Sequence, residues 1–193
     1  MRQILSTLAL ILSASLLSAQ VSKTDTLHSI FQDGRKGYPE LEPVSIELVL
    51  TPKKRHMMWV RPTIGSFFWG KMKYKVFVST DTMYSQFVDT LSTDAILGWY
   101  AHELGHVVDY ERRGRLGSFW MGVQYVFFPK GRARMEYRAD KITIEHGYGC
   151  ELLASVNISR KHLPSWKRKQ AERFYLKRAQ LEELIKICEQ RKE

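Results

Sequence analysis

Apolar side chains recur most regularly in the middle of the chain, between about residues 93 and 113. They follow one another mostly at steps of three and four, at Leu97, Tyr100, Ala101, Leu104, Val107 and Val108. This spacing predicts a helix that buries one stripe of its surface. Ser92, Thr93 or Asp94 can cap its N-terminus, and Gly114, which follows two arginines, predicts its end.

Two shorter segments in the first half alternate between apolar and polar residues. This alternation in Ser45–Leu50 and in Lys73–Thr80 is typical of strands with one buried face. Residues 20–44 are polar and contain turn formers, and they predict an irregular lead-in. Prolines and glycines among aromatic residues in Thr51–Gly70 predict turns and at most one short strand.

The second half of the chain is expected to be mainly helical. The apolar run Phe119–Phe128 is too short to span a bilayer, which needs about 20 residues. It predicts a buried helix, with a lid that touches a membrane as the alternative. Further helices are predicted at about Arg132–His146 and Pro164–Lys192. The pattern predicts an α+β fold, with a small antiparallel sheet packed on the central helix.

The N-terminal residues have the features of a secretory signal. Arg2 precedes an apolar run at Ile4–Leu17, and small residues follow that run. We therefore expect residues 1–19 to be a signal peptide that is removed on export, with an uncleaved membrane tether as the alternative. Residues 20–193 are then expected to form one domain in the periplasm, the cell envelope or the extracellular space.

The chain is basic, with a formal net charge of +10 at pH 7. An anionic membrane surface is therefore a candidate partner, although a solvated helix face is the simpler interpretation. Nucleic acid is not expected as a partner, because export separates the protein from nucleic acid and no known nucleic-acid-binding motif is present. Cys150 and Cys188 could form one disulfide in an oxidising compartment. The cations cluster late, at Arg160, Lys161, Lys167, Arg168, Lys169, Arg173, Lys177 and Arg178.

Two histidines on the predicted central helix have the spacing of a metal site. His102 and His106 are four residues apart, so both imidazoles project from one side and can bind one ion. Glu103 lies beside them, where it can act as general base towards a zinc-activated water. The structural alternative is two hydrogen-bonded histidines and a solvated glutamate. Gly98 and Gly105 share this side and indicate room for a metal, a substrate or a closely packed backbone.

A catalytic zinc usually has three protein ligands and one open position. Arg112, six residues after His106, cannot be a ligand, which excludes one subclass of such sites. Glu136 and Asp140 are four apart on the next predicted helix and point the same way. One of them can bind the metal while the other accepts a hydrogen bond from a ligating histidine. The competing third ligands are Asp109, Glu145 and His146.

The segments His102–His106 and Glu136–Asp140, which read His-Glu-x-x-His and Glu-Tyr-Arg-Ala-Asp, together resemble the gluzincin branch of zinc metallopeptidases. The second segment is similar to the Glu-x-x-Ala-Asp variant of that branch. The resemblance covers residues 98–145 and implies a minimal zincin-like domain. Lys73–Thr80 also resembles the edge strand on which such enzymes lay an extended peptide.

The resemblance implies a role for each residue of the two segments. His102, His106 and Glu136 would bind Zn²⁺, Glu103 would be the general base, and Asp140 would orient His102. The reaction implied is hydrolysis of peptide bonds in a peptide or protein substrate. The oxyanion donor is not singled out by the sequence, which offers Tyr110, Tyr137, His146 and Tyr148.

Three other functions are weighed against peptide hydrolysis. Deformylation of peptides expects a cysteine ligand before the histidine motif, whereas both cysteines here follow it. A non-catalytic scaffold at the cell envelope, stabilised by zinc, is the alternative of a different class. The presence of Glu103 argues against a scaffold, because a structural zinc needs no general base. A basic membrane-surface protein dependent on residues 160–178 is the remaining interpretation.

Overall fold

The computed structural model describes residues 24–52, 57–81 and 91–162, together with six residues near the C-terminus: 183, 184, 186, 187, 189 and 190. The predicted signal peptide, most of the predicted last helix and the side chains of the late basic cluster lie outside the described residues. Within them, no helix is both long and apolar enough to cross a membrane.

The chain is an α+β fold, as predicted. Its elements, in order, are α1 (residues 24–36), a 3-10 turn (Pro39–Leu41), β1 (Ser45–Thr51), β2 (Met58–Pro62), α2 (Ile64–Phe68), β3 (Lys73–Ser79), α3 (Thr93–Phe127), α4 (Pro129–Glu145) and α5 (Gly149–His162).

Helix α1 contradicts the prediction of an irregular lead-in at residues 20–44. Leu27, Ile30 and Phe31 recur at helical spacing and are buried in the main core. Their neighbours are polar, so only three apolar positions mark the helix in the sequence. The burial of those three side chains against the rest of the protein stabilises a segment whose composition resembles a loop.

The sheet is mixed, and the prediction of an antiparallel sheet is wrong. Its strand order is β1-β3-β2. Strand β1 runs parallel to β3, with Leu48 opposite Val76, and β2 runs antiparallel to β3, with Val60 opposite Val76. The connection from β1 to β3 contains β2 and α2, which makes it long enough for a parallel crossover. Strand β3 is therefore central and cannot be the predicted edge strand. Within the described part of the sheet, β1 and β2 lie at the two edges.

Helix α3 runs through the main core up to a break at Gly114. Tyr100, Ala101, Leu104 and Val107 are completely buried, which confirms the predicted apolar stripe. The Ser92 side chain accepts a hydrogen bond from the Ala95 backbone N–H at the N-terminus. Gly114 has φ 63° and ψ −172°, a conformation that L side chains rarely adopt. The first helical unit therefore ends where the sequence predicts.

The helical continuation after Gly114 is exposed, so the prediction of a buried helix at Phe119–Phe128 is wrong. Its outward side chains have exposed fractions of 57% to 87% from Leu116 to Phe127. Among the described residues, Ser118 and Met121 are the buried positions of this segment. The run is helical because its composition permits a helix, but no described element covers its outer side.

Helix α5 forms a small second cluster beside α3. Leu152 and Leu153 pack with Leu184, a buried residue within the segment predicted as the last helix. Cys150 is disulfide-bonded. The predicted partner, Cys188, lies outside the described residues.

Candidate metal centre

Three predicted ligands meet between helices α3 and α4. His102, His106 and Glu136 are buried, and one ligand atom from each lies within 4.8 Å of the other two. Glu136 Oε2 is 3.2 Å from His102 Nε2 and 3.5 Å from His106 Nε2. Both imidazoles therefore direct the same ring nitrogen at one carboxylate oxygen. This group could hold a metal ion.

Close backbone packing brings the two ligand-bearing helices together. A Cβ atom on Gly105 would lie 2.8 Å from the Ala139 carbonyl oxygen of α4. Thr143 Oγ1 donates a hydrogen bond to that carbonyl at 2.8 Å. On the same side of α3, a Cβ on Gly98 would lie 2.0 Å from the Glu151 carbonyl oxygen of α5. Of the three reasons considered for these glycines, close backbone packing is therefore the one observed.

Asp140 contacts one of the two histidines. Its Oδ1 lies 2.8 Å from His102 Nδ1, and its side chain is completely buried. A carboxylate at this position accepts a hydrogen bond from the Nδ1–H group, which leaves Nε2 as the nitrogen that faces Glu136 and His106. Among the described residues, His106 Nδ1 has no hydrogen-bond partner. The orienting carboxylate therefore acts on His102 alone.

The charges of the site suit a cation. Burial alone would lower the pKa of His102, but hydrogen bonds with Asp140 and Glu136 raise that pKa well above its usual range. Burial alone would raise the pKa of Glu136, but hydrogen bonds with the two histidines hold that pKa well below its usual range. A buried carboxylate that faces two imidazole nitrogens requires positive charge between them. Protons or a metal ion can supply it, so the donor set fits a divalent cation.

Glu103 lies beside the ligand group without belonging to it. Burial raises the pKa of its carboxyl group, an effect that His106 and His102 partly offset. The backbone of Val60 lies close enough to this carboxyl group to lower its pKa slightly. Val60 is in β2, so this contact places an edge strand of the sheet next to the candidate base. No sequence pattern predicts this neighbour, because β2 is a short run among turn-forming residues.

The competing third ligands are engaged elsewhere. Asp109 accepts hydrogen bonds from the side chains of two arginines. His146 Nε2 lies 2.9 Å from Glu40 Oε1, and His146 Nδ1 lies 2.7 Å from the Ile142 carbonyl oxygen. Glu145 is exposed. None of these three belongs to the group that could hold a metal ion among the described residues.

The four tyrosine and histidine side chains considered as oxyanion donors lie in different surroundings. Two of the candidates, His146 and Tyr148, stack on the ring of Tyr38, with centroid distances of 4.3 and 5.8 Å. Tyr137 is 40% exposed. Tyr110 is the one whose ring faces a candidate ligand, since its centroid lies 6.5 Å from that of His106.

Comparisons of the chain with protein-family models, with curated proteins and with solved structures find no match. The residues and geometry of the site itself are therefore the basis for assigning a function.

Proposed function

We propose that this protein is a zinc-dependent metallopeptidase of the gluzincin type, with a minimal zincin-like domain. The observation that supports this most strongly is the buried convergence of His102, His106 and Glu136, with Asp140 hydrogen-bonded to the far nitrogen of His102. The same four residues give the resemblance in sequence. A helix with two incidental histidines has no need for the paired carboxylates on α4.

The donor set favours zinc over calcium and magnesium. Two imidazole nitrogens and one carboxylate oxygen are a common set of protein ligands for a catalytic zinc, and they leave a coordination position open. Calcium and magnesium prefer oxygen donors, so a site with two imidazole ligands would bind them weakly. Asp140 adds the carboxylate contact that typically accompanies a zinc-binding histidine.

Glu103 supplies the acid–base chemistry that hydrolysis requires. A bound zinc ion would lower the pKa of a water to about 7 and polarise a carbonyl group. Glu103 then accepts the proton of the attacking water as the new carbon–oxygen bond forms. It delivers this proton to the leaving nitrogen as the carbon–nitrogen bond breaks. Burial, which raises the pKa of Glu103, makes the carboxylate a better proton acceptor.

An extended peptide is the substrate class that suits the surroundings of the site. Strand β2 has one strand partner, β3, within the described part of the sheet. The backbone of its Val60 lies close enough to the candidate base to affect the pKa of that carboxyl group. A peptide that paired with the backbone of this strand would lie next to Glu103. We therefore propose that the peptide substrate pairs with β2, and not with β3 as expected from the sequence.

The test is hydrolysis of a mixed peptide library by the zinc-loaded chain, with products identified by mass spectrometry. Glu103→Gln is expected to reduce the rate by about 10²–10⁴-fold while zinc content stays unchanged. Glu145→Gln, an exposed glutamate on α4, is the matched control and should retain full activity.

Two results would contradict the proposal. Equal rates of hydrolysis by the wild type and Glu103→Gln would show that Glu103 is not the general base. Stoichiometric zinc without any hydrolysis of the library would favour the non-catalytic scaffold instead.

A further inference from the structure

The part of α3 that follows Gly114 exposes apolar side chains along one side. We call this side the outer face, and its members are Leu116, Phe119, Trp120, Val126 and Phe127. Their exposed fractions run from 57% for Trp120 to 87% for Leu116. Single exposed apolar residues are normal on protein surfaces, but a contiguous set that includes three aromatic rings indicates a binding surface.

The outer face is a product of helical geometry. At 100° per residue, its five members fall within a sector of about 120°. Ser118 and Met121, which are buried, fall on the opposite side of the same helix. This segment is therefore an amphipathic helix whose wider apolar side is turned away from the protein.

Positive charge flanks the outer face at both ends. Arg112, Arg113 and Arg115 precede it, and Lys130, Arg132 and Arg134 follow it. No aspartate or glutamate occurs between Glu111 and Glu136. Three of these cations already have protein partners, since Arg112 lies 3.7 Å from Glu40, Arg113 is paired with Asp109 and Arg132 lies over the Tyr125 ring. The segment as a whole still carries six cations and no anion.

We propose that the outer face docks the protein onto the surface of an anionic lipid bilayer, with this helix lying in the membrane plane. Tryptophan and phenylalanine would enter the boundary between headgroups and acyl chains, while the flanking arginines and lysines would contact lipid phosphates. The proposal is independent of the proposed metallopeptidase activity.

Length and charge favour this occupant over a protein partner. The helical residues 115–127 span about 20 Å, too short for the hydrocarbon core of about 30 Å but suitable for lying flat. A second copy of this chain would bring a second set of six cations against the first, which is unfavourable. A bilayer rich in anionic lipid offers apolar and negative surfaces together, as the outer face and its flanks require.

Binding is tested by co-sedimentation of the full chain with phosphatidylglycerol vesicles and with phosphatidylcholine vesicles. The wild type should bind the anionic vesicles more tightly, and added salt should weaken that binding. The triple variant Phe119→Ser/Trp120→Ser/Phe127→Ser should bind the anionic vesicles at least about tenfold more weakly than the wild type. Its melting temperature should be unchanged. Ile187→Ser, which alters an exposed apolar residue elsewhere, is the matched control and should bind like the wild type.

A local readout separates the outer face from the other apolar and basic parts of the chain. Brominated phosphatidylglycerol should quench the wild-type tryptophan fluorescence, and Trp120→Phe should retain binding but lose part of that quenching. Each of Arg115→Glu, Lys130→Glu and Arg134→Glu should weaken binding by at least about fivefold. Lys36→Glu, on α1, should have a smaller effect.

Three results would overturn the proposal. The first is equal binding of the wild type and the triple variant, which would move the lipid contact to another part of the chain. The second is the absence of binding to anionic vesicles at low salt. The third is a wild-type dimer that the triple variant converts to a monomer, which would make the outer face a contact between two copies of the chain.

Discussion

Helix α3 contains two segments of similar apolar character with opposite surroundings. Before Gly114, the segment from Ala95 to Asp109 is almost entirely buried and includes both candidate metal-binding histidines. After Gly114, the segment from Leu116 to Phe127 exposes most of its large apolar side chains. An apolar helical pattern thus predicts the helix in both places. Burial follows only where other elements are available to cover it.

The covering elements explain the difference. Helices α4 and α5 pack against the first segment so closely that Gly98 and Gly105 have no space for a side chain. The sheet lies on another side, where Tyr74 stacks on Tyr110 at 6.0 Å. A site that needs buried charge can form only in this covered segment, because burial there is combined with the fixed neighbours that pair each charge.

The largest difference between the two segments is expected from a matched pair of leucines. Leu104 is completely buried and Leu116 is 87% exposed. Leu104→Ala leaves a cavity and should lower the free energy of unfolding by about 2–5 kcal/mol. Leu116→Ala should change it by less than about 0.5 kcal/mol. Denaturant unfolding of both variants measures this, and similar losses would show that the second segment is covered after all.

A matched pair of glycines tests how closely the helices pack. Gly98→Ala forces a methyl group against the Glu151 carbonyl and should destabilise the protein by about 1–3 kcal/mol. Gly122→Ala meets no atom within 4 Å and should stabilise the helix by up to about 1 kcal/mol. Thermal melts of the two variants should therefore shift in opposite directions. A stabilising Gly98→Ala would contradict the backbone contact between α3 and α5.

A smaller effect is expected from the carboxylate that orients His102. Asp140→Asn keeps the shape of the side chain but removes the charge that holds the Nδ1 proton. Zinc affinity, measured by competition with a chelator, should fall by about 10–100-fold. Asp94→Asn, an exposed position at the start of α3, is the control and should leave the affinity unchanged. Unchanged zinc affinity in Asp140→Asn would show that the Asp140–His102 contact does not contribute to metal binding.

The sequence predicted the candidate site better than the parts of the fold around it. His102, His106, Glu136 and Asp140 are each set by helical spacing within one element, and spacing is a local property that sequence reasoning can use. That the two helices meet at the site came from the resemblance, not from spacing. Gly105 was recognised as special, but its contact with Ala139 could not be foreseen.

The errors concern features that tertiary contacts decide. Strand order is one, because the alternation in β3 is the same for a central strand as for an edge strand. Helix α1 is another, since a few buried residues among polar ones override local composition. The exposure of Phe119–Phe128 is the third, because hydrophobicity alone does not reveal whether a covering element exists.

The most direct test of the account is the metal content of the purified chain, measured by mass spectrometry of the bound ion after zinc reconstitution and removal of free metal. We expect about one zinc per chain in the wild type and in Glu145→Ala, and almost none in His106→Ala and Glu136→Ala. Zinc retained by Glu136→Ala would show that another residue is the third ligand, which would contradict the gluzincin assignment. A wild type that binds no metal would contradict the metal centre itself.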